Sequence, residues 1–274
     1  MEMVNEIKKL VDAKKEAFLH AGDLVWEYAE IGFKEFQSAK ALTDVLKAEG
    51  FAVEEGVAGI PTAFVASWRE GKPIIGLLGE YDALPALNHA AGDPVESSEI
   101  VNENGHGCGH NLLGAGALGA AVAVKDYMQA HGLKGTIRYY GCPGEEFGSG
   151  KMFMARAGLF DDLDAAFTWH GGAYNAITAD HSLANLCAYF KFKGRTSHAA
   201  GSPHLGRSAL DACELMNVGC NYLREHILPD ERIHYAYTDV GGSAPNVVQD
   251  HACVFYYVQL RFRRVTQFSL GPEF

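Results

Sequence analysis

The stretch Gly105-His-Gly-Cys-Gly-His-Asn111 sets a soft thiolate and imidazoles among glycines that permit unusual backbone angles, which makes it a candidate metal site. Cys108 and His110 are two residues apart, so in an extended or bulged segment both side chains leave the same side and can reach one ion or two adjacent ions. The competing structural reading is a Gly-rich turn with a buried Cys and a surface His. Glu145-Glu146 follows Pro143-Gly144, a turn in which consecutive side chains diverge, so one carboxylate can ligate a metal while the other faces a water. That division suits metal-assisted hydrolysis: the ion lowers the pKa of water and polarises a carbonyl, and the second carboxylate takes the proton and returns it to a leaving amine. A solvated acidic turn is the alternative. His170 after an apolar strand reads by itself as a hydrogen-bonded structural histidine, and its placement with the other residues makes it a ligand candidate. Asp82, before Ala-Leu-Pro, is either a turn cap or a carboxylate that orients a ligand histidine and raises its basicity. Glu80 reads as a salt-bridged strand-end residue. The main chemical rival is Cys108 as a nucleophile with His106, His110 or His170 as base, a reading that leaves the carboxylate pair idle.

These residues need a scaffold that brings them together. Val4 to His20 and Asp23 to Tyr28 carry apolar residues at helical spacing, and Ser38 to Gly50 reads as a helix with Ser38 as its cap and Gly50 as its stop. Phe51 to Glu54, Thr62 to Trp68 and Pro73 to Gly79 read as strands, the last two bridged by the turn Arg69 to Lys72. A polar, acidic loop from Asn88 to Asn104 precedes the Gly-His-Cys stretch, and a small-residue helix, Leu112 to Gln129, follows it. Thr136 to Cys142 and Asp164 to Trp169 are strands, with a helix over Lys151 to Ala157 between them. Strands ending near Gly79, Cys142 and Trp169 are followed at once by Asp82, Glu145/Glu146 and His170. In an open α/β sheet, sites gather at the carboxyl ends of strands, so these residues converge on one rim of a three-layer α/β/α domain.

After His170 the pattern changes to strand, helix, strand, strand: Leu186 to Lys193, Ser208 to His226, His234 to Val240 and Ala252 to Gln259. This is a separate small α+β domain, with the boundary near Asp180 to Ala184. Its loops Arg195-Thr-Ser-His198-Ala-Ala and Gly241-Gly-Ser-Ala-Pro-Asn246 are polar without an evident core role, and ordinary turns are the plain reading of both. From about residue 259 the chain shows neither a helical nor a strand period.

The formal charge of -11 over 274 residues excludes nucleic acid and anionic membrane as expected partners, because no basic stripe is available to neutralise phosphates. Lys8 to Lys15 reads as a solvated helix face, and Arg261 to Arg264 as part of a terminal tail. No N-terminal leader is evident, Leu112 to Val124 is too short to span a bilayer, and the six cysteines lack the spacing of a disulfide framework, so a reducing cytoplasm is expected. Gly114-Ala-Gly-Ala-Leu-Gly119 matches a dinucleotide-binding pattern by letter but lies inside a helix run, and Gly148-Ser-Gly-Lys151 lacks the first glycine and the terminal Ser/Thr of a phosphate loop.

Taken together, Glu80-Tyr-Asp82-Ala-Leu-Pro, the Gly105 to Asn111 stretch with Leu-Leu-Gly after it, Gly144-Glu145-Glu146, Thr168-Trp-His170 and Ser197-His198-Ala-Ala resemble the zinc-dependent aminoacylase/carboxypeptidase family of amidohydrolases, from the N-terminal helices to about Val258. The resemblance implies a centre of two divalent ions, Zn or Mn, ligated by Cys108, His110, Glu146 and His170, with Glu145 as general base and acid and Asp82 behind the ligands. Many relatives place a histidine where Glu80 stands, and Cys108 would supply the missing ligand. It further implies a catalytic domain over residues 1–183 and part of a lid and dimerisation domain over 184–274, with His198 polarising the scissile carbonyl, in a partner's active site, and Asn246 holding the substrate's terminal carboxylate. The implied substrate is a small N-acyl or aryl-glutamate-type amide, and the implied assembly is a homodimer or a hetero-oligomer with a related subunit. The family continues past this point with further strands and one more histidine ligand. The expectation is therefore that this chain is C-terminally truncated, binds metal weakly and hydrolyses little, with a non-catalytic metal-binding or interaction subunit as the alternative.

Overall fold

The computed structural model describes residues 2–90, 92, 103–177 and 183–260. Most of the acidic loop expected over 88–104, part of the expected boundary at 180–184 and the tail that contains Arg261 to Arg264 lie outside the described residues. The chain divides into two compact units, Met1–Asn175 and Ala176–Phe274.

The first unit opens with α1 (Glu2–Tyr28), one helix rather than the two expected from the pattern. The expected break falls near Gly22, a residue that weakens an isolated helix. Here Gly22 lies where the helix crosses a neighbour, and a Cβ added to it would stand 3.3 Å from that of Ala115, so tertiary packing keeps the helix continuous. Next, α2 (Phe36–Ala48) begins two residues before the expected cap. Ser38 caps nothing by its side chain; its hydroxyl and amide both donate to the Glu30 carboxylate, at 2.9 and 2.8 Å. A negative charge at a helix N-terminus meets unpaired amides there, so Glu30 takes the role expected of Ser38. Gly50, with φ +83°, supplies the expected left-handed stop.

The strands of this unit are β1 (Ala52–Glu55), β2 (Phe64–Trp68), β3 (Ile74–Gly79), β4 (Thr136–Gly141) and β5 (Ala165–Phe167), and they form one sheet in the order β1-β2-β4-β3-β5. The β2 and β3 strands, although joined by a short turn, are not neighbours: β4 inserts between them, antiparallel to β2 and parallel to β3. β5 pairs with β3 in parallel. Ile137 and Tyr139 face a core built with Phe18, Val25, Leu42, Leu118 and Val122 from the helices, whereas Tyr140 faces a second core with Met154. Met154 belongs to α4 (Gly150–Arg156). The result is a mixed α/β architecture with helices on both faces of a partly parallel sheet, in which the carboxyl ends of β4, β3 and β5 lie side by side.

Behind β3 runs α3 (His110–Ala130), whose small residues permit a close approach. A Cβ on Gly114 would stand 2.8 Å from the Glu80 carbonyl oxygen, so the helix start is held tightly to the strand end. In the second unit, β6 (Ala184–Lys193), β7 (Arg232–Asp239) and β8 (His251–Leu260) form an antiparallel sheet in the order β6-β8-β7. One face of that sheet packs on α5 (Ala209–Leu223) through Ala252, Val254 and Tyr256, and the Ser208 hydroxyl caps the helix by accepting from the Asp211 amide at 3.0 Å.

Replacing Gly114 by Val forces α3 away from the Glu80 carbonyl and is expected to lower unfolding free energy by about 1–3 kcal/mol, read as a shift of the urea midpoint.

Candidate metal centre

The site starts from His110, buried completely in the first turn of α3. The turn that delivers it differs from the extended segment expected: Gly109 adopts a left-handed conformation, φ 72°, immediately before the helix. His110 Nδ1 lies 3.1 Å from a carboxylate oxygen of Asp82 and 3.0 Å from its backbone carbonyl. Both are acceptors, so Nδ1 carries the proton of the neutral ring and Nε2 offers its lone pair. That Nε2 is buried and makes no hydrogen bond. It faces carboxylate oxygens of Glu80 at 3.3 Å and Glu145 at 4.0 Å.

Two overlapping groups of donor atoms result, each mutually within 4.8 Å: Cys108, His110 and His170, and Glu80, His110 and Glu145. His170 follows β5. The indole of Trp169 donates to the Leu113 carbonyl at 3.3 Å and packs on Gly116, which sets the following histidine beside α3. The His170 ring stands edge-on to His110 at 5.7 Å between centroids, and its Nδ1 donates to the Gly171 carbonyl at 2.9 Å, leaving its Nε2 as the lone pair. Lone pairs and carboxylates converging on one small volume repel each other without a cation, so thiolate, imidazole and carboxylate donors here fit a borderline-soft divalent ion.

Electrostatics point the same way. Burial pulls the His110 imidazolium down, but the hydrogen bond and charge of Asp82, with the charges of Glu146 and Glu145, outweigh it and the net shift is up. Burial first, then the Glu146 and Asp82 charges, hold the Glu145 carboxyl above its ordinary value. The Cys108 thiol is pushed up to about 11, first by burial and then by its hydrogen bond to Glu146 and the surrounding carboxylates. A thiol so placed is a poor nucleophile unless a cation stabilises its thiolate.

Asp82 uses both oxygens. One holds His110, and the other accepts the Glu146 amide at 3.0 Å, so the turn after β4 is tied to the strand end after β3. Glu145 lies in the carboxylate group with Glu80 and His110, while Glu146 hydrogen-bonds Cys108. His106 is buried and donates from Nε2 to the Val25 carbonyl at 2.9 Å, a contact that shapes the loop. Glu80 is salt-bridged at a strand end as expected, but its place among the donor atoms and its partner Lys151 are missed by sequence reasoning. Glu80 turns inward as a donor, and Lys151 ion-pairs with it, its ammonium pulled down to about 8 by burial. The inward turn of Glu80 follows from its place at the end of a buried strand, but the Lys151 contact needs α4 folded over the sheet. In the second unit, His198 and Asn246 are brought together: Ala199 donates to the Asn246 carbonyl at 2.9 Å, and His198 bridges Val247. His198 Nδ1 accepts from the amides of Ala200 and Gly201, at 3.2 and 3.0 Å, so its Nε2 carries the proton and is a donor.

Residues 76–259 match the family described as Peptidase family M20/M25/M40. The chain belongs to this family. It is 50% identical over 258 residues to the B subunit of p-aminobenzoyl-glutamate hydrolase from Escherichia coli (strain K12), an alignment that covers 94% of this chain and 54% of that protein. The chain spans about half the length of the curated relatives it matches. Among solved structures, the aminobenzoyl-glutamate utilization protein from Klebsiella pneumoniae shares the fold with a TM-score of 0.65 at 20% identity, over 96% of this chain and 71% of that one. A dinuclear metal-binding peptidase of the same family from Bacillus subtilis shares it with a TM-score of 0.53 at 18% identity, over 93% and 67%.

In metal-free protein, alkylation of Cys108 is expected to rise about tenfold per pH unit between about pH 7 and 10, followed site by site by mass spectrometry, and to be suppressed by added Zn²⁺. A plateau in that rate below about pH 8 would instead establish a thiolate nucleophile.

Proposed function

We propose that this chain carries the metal-binding and proton-transfer machinery of a metal-dependent amidohydrolase that cleaves an N-acyl or aryl-glutamate-type amide. The observation that carries the reading is the buried Nε2 of His110, which makes no hydrogen bond and faces carboxylates of Glu80 and Glu145, while His110 also belongs to a second donor group with Cys108 and His170. The name of the Escherichia coli relative supports an aminobenzoyl-glutamate-like substrate, and that of the Bacillus subtilis relative supports two metal ions.

In this reading Cys108, His110, Glu146 and His170 hold divalent metal, Zn or Mn, with Glu80 as a further donor. The chemistry an ion held there would supply is polarisation of the scissile carbonyl and a lowered pKa of water. Glu145, its basicity raised by burial and by Glu146, takes the proton from the attacking water and delivers it to the leaving amine. Asp82 holds the proton on His110 Nδ1 and so keeps the Nε2 lone pair turned toward Glu80 and Glu145, where it would meet an ion. His198, donating from Nε2, polarises the carbonyl of a substrate held in a partner's site, and Asn246 accompanies it as the contact for the substrate's terminal carboxylate. A homodimer, or an assembly with a related chain, follows from that division, and the name of the Escherichia coli relative, which makes it one component of a multi-subunit hydrolase, supports it. The described cysteines are all free, in keeping with a cytoplasmic setting, and no described helix is long and apolar enough to cross a membrane.

A second reading is metal binding without turnover. Metal content and hydrolysis of aminobenzoyl-glutamate separate the two. Glu145→Gln is expected to retain metal and lose about 10²- to 10⁴-fold in kcat, whereas Cys108→Ala loses metal and activity together. Undiminished hydrolysis by Glu145→Gln would overturn the assignment of the base, and metal bound by the wild type without any hydrolysis would establish the second reading.

A further inference from the structure

The connection between α1 and α2 touches both arms of the site. The Glu30 carbonyl accepts the Ala83 amide at 2.8 Å and Ile31 bridges Ala83, so this segment grips the strand end that carries Asp82. Five residues after Glu30, Glu35 occupies the N-cap of α2 but makes no capping hydrogen bond with its side chain. Its carboxylate turns away from its own helix instead. One oxygen accepts the Gly144 amide at 2.8 Å, and the other accepts the Thr62 hydroxyl at 2.9 Å. Thr62 in turn accepts from the Tyr81 hydroxyl through its carbonyl, at 2.6 Å, which leads back to the residue beside Asp82.

Glu35 is 0% exposed. Removing a carboxylate from water is costly unless hydrogen bonds satisfy it, and the first-turn amides of α2 at Gln37 and Ser38 are already taken by Glu30. The Glu35 carboxylate is satisfied instead by Gly144 and Thr62, 109 and 27 residues away in sequence, and so ties the start of α2 to the turn after β4. The turn it holds has little slack. Gly144 has φ +63°, a Cβ there would come within 2.7 Å of the Phe33 ring, and one on Gly32 would stand 3.0 Å from Gly144 Cα. The next two residues are Glu145 and Glu146, and the amide of Glu146 is held from the other side by Asp82.

We propose that Glu35 is a positioning residue, whose buried carboxylate fixes the Pro143–Glu146 turn and thereby aims the carboxylates of Glu145 and Glu146 at the donor group around His110. The link to metal rests on the reading of the site given above; the hold on Gly144 does not. Hydrogen exchange at the Gly144 amide and Zn²⁺ affinity test it in Glu35→Gln, which keeps a weaker acceptor, and Glu35→Met, which keeps bulk without one. Exchange at Gly144 is expected to rise about threefold in Glu35→Gln and about tenfold or more in Glu35→Met, with β4 amides at wild-type rates. Zn²⁺ affinity is expected to fall about 10- to 100-fold in Glu35→Met and to be largely restored in Glu35→Gln, a pattern that a merely structural role would not produce. Unchanged exchange at Gly144, a rise shared equally by β4, or unchanged Zn²⁺ affinity in a folded Glu35→Met would overturn the proposal. If Glu35→Met does not fold, the exchange pattern of Glu35→Gln decides alone. Absence of Zn²⁺ binding by the wild type would overturn the metal reading, and the exchange results would still decide whether Glu35 holds the turn.

Discussion

The contact between Asp82 and His110 governs the arrangement of everything around it. A buried imidazole has two nitrogens and only one proton when neutral, so the acceptor that takes the proton decides which lone pair is left over. Asp82 offers its carboxylate and its carbonyl to Nδ1, and Nε2 is thereby left facing Glu80, Glu145, Cys108 and His170. The same carboxylate holds the amide of Glu146. One side chain, at the end of one strand, therefore orients a ligand candidate on a helix and anchors the turn after a second strand.

The surrounding fold exists to bring those elements within reach. Three parallel strands end at the same rim, and each is extended by chemically useful residues: Glu80 and Asp82 after β3, Glu145 and Glu146 after β4, His170 after β5. The start of α3 adds Cys108 and His110 only because a left-handed Gly109 turns the chain and because Gly114 allows the helix to touch the Glu80 carbonyl. Larger side chains at the crossing would separate ligand from ligand.

Charge balance makes the rim selective. Burial and then its carboxylates raise the Cys108 thiol, and the carboxylates raise His110 against the effect of burial. Lys151 meets part of that demand at Glu80. Protons and a divalent ion would compete for donors arranged in this way.

Much of this is legible before folding is considered. Period and punctuation locate the described strands and α-helices of both units to within a few residues, apart from the join within α1, and the recurrence of Asp82, Glu145/Glu146 and His170 just past apolar runs marks a common rim. Local pattern fails where the deciding partner is distant in sequence. Gly22 reads as a break until Ala115 packs on it, Ser38 reads as a cap until Glu30 replaces it, and the turn between β2 and β3 does not reveal that β4 inserts between them. The residue types and their strand-end positions, which determine what chemistry is available, belong to the sequence by itself, because strand ends and glycine turns are local properties of the chain. Only the tertiary structure decided which lone pair of His110 is presented, that Glu80 faces inward against Lys151, and that Glu35 reaches Gly144, since each depends on contacts between segments 28 to 109 residues apart.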